Sequence, residues 1–128
     1  MFINISNHPS SKWSPEQLAA ASQYGKIVDI QFPNIPAEAD HSEVESLAWD
    51  YVIRAEDLLR DPATERAKDG SHAIHVMGET SFVVAFVRNC RLGVPLVCST
   101  TAREVVDLGD GKKEARFRFV QFRQMAKE

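Results

Sequence analysis

What most restricts the folds open to this chain is alternation. Four apolar runs of strand type, FINIS at 2–6, KIVDIQF at 26–32, HAIHVMG at 72–78 and VPLVCS at 94–99, are separated by three stretches with helical spacing. Strand, helix, strand, repeated in this way, predicts a parallel sheet, because right-handed crossovers leave few other solutions. Behind the last run, EVVDLGDGKKEARFRFVQF holds two further strand-like segments joined at Gly109-Asp110-Gly111, the chemistry of a tight hairpin. The expectation is an α/β domain, a mostly parallel sheet with helices on both faces and a C-terminal antiparallel β-hairpin. At 128 residues and 44% hydrophobic content, residues 1–128 form one domain with enough apolar surface for a core without staples.

Local signals place the helices. Ser14 as N-cap, Pro15 at the first helical position and Gln17 three residues after the cap open the first, with Trp13 and Leu18 spaced as a hydrophobic staple. That helix closes near Tyr24-Gly25. PNIPAEAD reads as a loop, and Ser42 with Glu45 reads as a capping box for a second helix whose apolar side runs from Val44 through Leu47, Ala48, Tyr51, Val52, Ala55, Leu58 and Leu59 until Pro62. ATERAKDGS, 63–71, has no apolar periodicity and reads as an exposed connection. TSFVVAFVRNCRLG, 80–93, is a helix with almost no polar face before Arg88, closed by Gly93. Burial on more than one side follows, inside this chain or against another subunit.

Composition excludes several classes. No run is apolar for long enough to span a bilayer, and MFINISNH lacks the basic start and apolar run of a secretory signal, so a cytoplasmic protein with no membrane partner is expected. Cys90 and Cys98 lack metal-ligand and redox spacing and read as two buried thiols. The histidines form no HExxH or comparable set, so neither a metal nor another cofactor is expected. The net charge of −3 hides an asymmetry: residues 1–87 carry 6 basic and 13 acidic groups, residues 88–128 carry 9 and 5. A positive C-terminal third attracts an anionic ligand, or is simply a pair of strands with solvated basic faces.

In open parallel sheets, ligands bind beyond the carboxyl ends of the strands. Three loops qualify: Asn7-His8-Pro9-Ser10-Ser11-Lys12, Gly78-Glu79-Thr80-Ser81 and Ser99-Thr100-Thr101-Ala102-Arg103. Together they offer amides, hydroxyls, an imidazole, a lysine and an arginine, which suits phosphate and sugar. The second opens a helix that is able to receive an anion, unless the Glu79 carboxylate itself takes the helix start. No GxGxxG, GxxxxGK[ST] or GxSxG is present. His8 is a candidate general acid or base, or a loop histidine that only supports its backbone; Arg103 is a phosphate ligand or a salt-bridge partner.

VMGETSFVVAFVRNCRLGVPLVCSTTAREVV, DGKKEARFRFVQFRQM and the opening NISNHPSSKWSPEQLAAA resemble the small stand-alone ring nucleases and related CARF-like proteins associated with type III CRISPR systems. The resemblance is weakest from about 32 to 70, and the STT-x-R segment with FRFVQFR is its most specific part. It implies a Rossmann-like (CARF-like) homodimer that binds cyclic oligoadenylate, with cyclic tetra-adenylate favoured, and no long nucleic acid. It implies metal-independent cleavage, a ribose 2′-hydroxyl attacking the adjacent phosphate, or else a sponge or sensor that binds without cutting. Carried over by position, His8 and Arg103 are catalytic, and Asn7, Ser10, Ser11, Gly78, Glu79, Thr80, Ser99, Thr100 and Thr101 bind the ligand.

Overall fold

The computed structural model describes residues 1–62 and 71–126. In chain order the elements are β1 (Phe2–Ser6), a short 3-10 turn (Ser10–Lys12), α1 (Pro15–Ser22), β2 (Ile27–Gln31), α2 (His41–Arg60), β3 (Ala73–Val76), α3 (Thr80–Asn89), β4 (Leu96–Gly109) and β5 (Lys112–Gln124). The strands form one mixed sheet in the order β2-β1-β3-β4-β5, parallel as far as β4 and antiparallel between β4 and β5. The α/β class and the terminal hairpin are therefore as the sequence predicts.

From β1 the chain moves outward to β2, then crosses back to β3 and continues in that direction to β4. Right-handed crossovers then put α1 on one face and α2 with α3 on the other. The packing has this form. Ile3, Ile5, Ile74, Val76 and Leu96 lie against Val44, Ala48, Tyr51, Val52 and Ala55 of α2 and Phe82, Ala85 and Phe86 of α3. Phe2, Ala73 and Val97, one residue out of phase along the same strands, pack with Trp13, Leu18 and Ala21. Phe82 anchors the first core, with ring centroids 5.0 Å from Phe32 and 5.4 Å from Tyr51; burying such a side chain contributes about 3 kcal/mol.

The start of α1 is as expected: Ser14 Oγ accepts from the Gln17 amide at 3.2 Å, with Pro15 at the first helical position. Helix α2 starts differently. Asp40, not Ser42, is its N-cap, accepting from the Glu43 amide at 2.9 Å, while the Ser42 hydroxyl donates to the same carboxylate. A carboxylate accepts more strongly than a hydroxyl and favours the positive end of the helix. Glu45 instead accepts from Asn89 Nδ2 of α3 at 3.1 Å, tying the two helices together.

Helix α3 ends at Asn89 rather than at Gly93, since Cys90 is already extended and Asn89 Nδ2 turns back to donate to Ala85 O. One of its sides faces solvent, with Val84 half exposed. Cys90 is buried as expected, whereas Cys98 is only half-buried. The stretch 63–70 of the anticipated exposed connection lies outside the described residues.

The largest correction concerns β4. The segment Ser99–Arg103 is not a loop after a strand but the middle of a 14-residue strand. Past Val97, β4 has lost β3 as a neighbour but keeps β5, and the β-branched Thr100, Thr101, Val105 and Val106 suit a strand. Residues 98–109 and their partners form a two-stranded ribbon roughly 40 Å long, closed by Gly109, Asp110 and Gly111, all at positive φ.

Candidate functional site

Strand order reverses between β1 and β3, so the carboxyl ends of these strands are where this topology leaves a crevice. On the α1 face of that point lies a cleft of about 450 Å³ lined by Ser6, His8, Lys12, Trp13, Ser14, Gln17, His75, Met77, Ser99, Thr101, Phe117 and Phe119. A larger cavity of about 730 Å³, bordered by Arg88, Cys90, Arg91 and Leu96, sits at the opposite, amino-terminal end of β4 and is remote from this point.

The floor of the cleft is polar and tightly bonded. Asn4, Ser6 and His75 are buried on the α1 face of strands whose other face is wholly apolar. Asn4 Nδ2 donates to Asp29 Oδ1 at 2.8 Å and to His8 O at 3.0 Å, and its Oδ1 receives the Ser6 hydroxyl at 2.8 Å. The same Oδ1 lies 2.8 Å from His75 Nδ1, and His75 Nε2 lies 3.3 Å from Ser99 Oγ. His75 is 2% exposed, with Phe2, Trp13 and Phe122 rings around it. Burial, reinforced by the nearby charge of His8, pushes its pKa down to about 4. It is a neutral imidazole at neutral pH.

The walls come from the loop after β1 and from the ribbon. Trp13 Nε1 donates to His8 O at 3.1 Å, and the Ser10 amide and hydroxyl both donate to Asp29, which fixes the loop while leaving the His8 ring facing out. Among the described residues, the His8 imidazole and the side chains of Lys12 and Arg103 make no hydrogen bond or ion pair. On β4, alternation turns Ser99, Thr101 and Arg103 to the α1 face; Thr100 turns away, its hydroxyl donating to Gln121 O. Their partners are Phe122, Phe119 and Phe117. A bulge at Val120 keeps these three rings on one face although they are not evenly spaced. Phe117 is 69% exposed.

The turn after β3 belongs elsewhere. Glu79 caps α3, its carboxylate accepting from the Ser81 and Phe82 amides and from the Ser81 hydroxyl; the Ser81 hydroxyl, then the two amides, lower its pKa. The helix start that the sequence offered to an anion is thus already filled. Asn7 and Glu79 border a shallow depression with Gln31 and Phe32 on another part of the same edge. Gly78 is held by packing: a Cβ there would meet the Phe32 ring at 2.3 Å.

The structure therefore brings His8, Ser99 and Thr101 into one cleft, with Arg103 next along the strand. It places Ser10 in the loop's own bonding, leaves Ser11 exposed in the turn, turns Thr100 outward, puts Asn7 in an adjoining depression with Asn4, Ser6 and Asp29, and sets Gly78, Glu79 and Thr80 apart. Sequence reasoning missed His75, Asn4, Asp29, Phe117 and Phe119 as site residues. The signal for the first two was polar residues at alternate positions of otherwise apolar central strands.

A family model matches residues 1–123, a span that includes every residue of this cleft. The chain belongs to the uncharacterized protein MJ1673 family. No curated protein and no solved structure matches it. In this MJ1673-family chain, no group of three or more His, Cys, Asp or Glu among the described residues is placed to hold a metal ion, and no helix there is long and apolar enough to cross a membrane.

Proposed function

We propose that this chain is a Rossmann-like (CARF-like) single domain that binds cyclic oligoadenylate and opens the ring as a metal-independent nuclease, acting as a homodimer in type III CRISPR antiviral signalling. The observation that carries the reading is the composition of one cleft and of the strand beside it: the unpaired cation of Lys12 in the cleft and that of Arg103 next along β4 for phosphate, the Ser99 and Thr101 hydroxyls for ribose, and the exposed Phe117 ring for a base. His8 is the group free to exchange a proton with the ligand. In the reaction a ribose 2′-hydroxyl attacks the adjacent phosphorus, the O2′–P bond forms, the P–O5′ bond breaks, and a proton passes from the 2′ to the 5′ oxygen. The product is a linear chain ending in a 2′,3′-cyclic phosphate, and no water is consumed. The side chains hold the in-line alignment and neutralise the phosphorane.

The unanchored His8 ring favours one alternative, a sponge or sensor that binds without cutting. The test is incubation with cyclic tetra-adenylate, and separately cyclic hexa-adenylate, in excess chelator, with products resolved by chromatography and mass. Linear products with 2′,3′-cyclic phosphate ends support the nuclease, with His8→Ala and Arg103→Ala expected to abolish cutting. An intact ring that co-elutes with the protein moves the reading to a sponge or sensor. An intact ring that does not bind overturns both.

A further inference from the structure

Resting on that reading, we propose that Ser99 is a catalytic residue and His75 its positioning residue: Ser99 Oγ takes the proton of the attacking hydroxyl while passing its own to His75 Nε2.

The argument begins behind the site. Both partners of Asn4 Nδ2, the Asp29 carboxylate and the His8 carbonyl, only accept, so the amide is held with its oxygen toward His75. Asn4 Oδ1 also only accepts, so His75 Nδ1 must carry the ring proton and Nε2 keeps its lone pair. That lone pair faces Ser99 Oγ at 3.3 Å. The other acceptor near this hydroxyl is Met77 Sδ at 2.9 Å, a weak one. Ser99 is only half-buried and lines the cleft, so its oxygen lone pairs are open to a ligand, whereas His75, 2% exposed, borders the cleft from beneath.

The step balances. The substrate O2′–H bond breaks and a Ser99 O–H bond forms; the original Ser99 O–H bond breaks and an Nε2–H bond forms; O2′ bonds phosphorus as the P–O5′ bond breaks. The 5′ oxygen takes its proton from water by way of the His8 imidazole, and the His75 imidazolium returns one to water. Burial disfavours that imidazolium, so it gives its proton up readily.

The experiment uses His75→Asn, which keeps a donor near Asn4 Oδ1 but removes Nε2, together with Ser99→Ala, Ser99→Thr and the double variant His75→Asn/Ser99→Ala. Thermal midpoints report folding; cyclic tetra-adenylate affinity and single-turnover cleavage are measured in chelator. Expected are an affinity within about threefold of the parent in His75→Asn and a weaker one in Ser99→Ala, single-turnover rates at saturating ligand down about a hundredfold in each of the two, no further loss of rate in the double variant, and partial rescue in Ser99→Thr. The ring 15N shifts of His75, read without ligand, should show a protonated Nδ1 and an acceptor Nε2 that responds to Ser99→Ala. Parent-like cleavage in both folded single variants, or losses that multiply in the double, overturn the proposal while leaving the nuclease intact. A protonated Nε2 overturns it whatever the substrate. A ring left intact by the parent protein removes the nuclease reading, and the catalytic role of Ser99 with it.

Discussion

Gly78→Ala offers the sharpest test of how the carboxyl edge is built, because the structure fixes what the new methyl group meets. Gly78 has φ of 156°, and a Cβ built on it falls 2.3, 2.4 and 2.8 Å from Cζ, Cε2 and Cε1 of Phe32. The ring is 7% exposed and packs edge-on against Phe82, itself fully buried against Tyr51, so it has little room to retreat. Overpacking of this kind costs about 1–3 kcal/mol, and the backbone conformation adds roughly another 1 kcal/mol. We expect a loss of about 3 kcal/mol, which for a chain of 128 residues lowers Tm by about 10 °C. The assay is urea denaturation of the parent, Gly78→Ala, Phe32→Leu and the double variant. Removing the ring should relieve the clash, so Gly78→Ala should cost about 1 kcal/mol in the Phe32→Leu background, a coupling of about 2 kcal/mol. Equal costs in both backgrounds would refute the packing account. Loss of ligand affinity without loss of stability would return Gly78 to the binding surface that the sequence suggested.

Three further outcomes are expected. His75, with a folded pKa of about 4 against an ordinary 6.5, binds its proton less readily folded than unfolded, so its contribution is complete above about pH 6.5 and is lost as pH falls toward 4. That amounts to about 3 kcal/mol, read as a stability slope over this window that His75→Asn lacks. Phe117→Ala should weaken cyclic tetra-adenylate binding by about fivefold to a hundredfold by calorimetry while leaving Tm within about 2 °C, since a stacked base contributes about 1–3 kcal/mol and the ring is already exposed; unchanged affinity would exclude Phe117 from base contact. Asp40→Ala should lower Tm more than Ser42→Ala, and the reverse order would restore Ser42 as the cap.

Much of the fold was legible because its signals are local. Strand periodicity, the Ser14-Pro15 start and the Gly109-Asp110-Gly111 turn each act within a few residues, and the crossover rule converts their order into a topology. What was not legible depends on partners far along the chain. The hydroxyl run at 99–101 looks like a strand end because β3 stops beside Val97, but β5, some twenty residues later, continues the pairing. Asp40 outcompetes Ser42 because its carboxylate accepts the Glu43 amide and the Ser42 hydroxyl together at the positive end of α2. His75 showed itself as a site residue only once Asn4, 71 positions away, was seen to bond it. Strand alternation explains why Thr101 and Arg103 share a face while Thr100 leaves it.

The bulge at Val120 has a consequence for how the cleft closes. Bulged strands bend and twist more strongly than regular ones, so the extra residue curls the ribbon as it leaves the sheet. Deleting Val120 would let Gln121 follow Phe119 directly, and regular alternation would still leave Phe117, Phe119 and Phe122 on the α1 face. The chemical inventory of the cleft would be unchanged, yet its wall would lose the added bend and twist that the extra residue brings. A half-exposed valine that lines no part of the cleft thus shapes the wall from outside it.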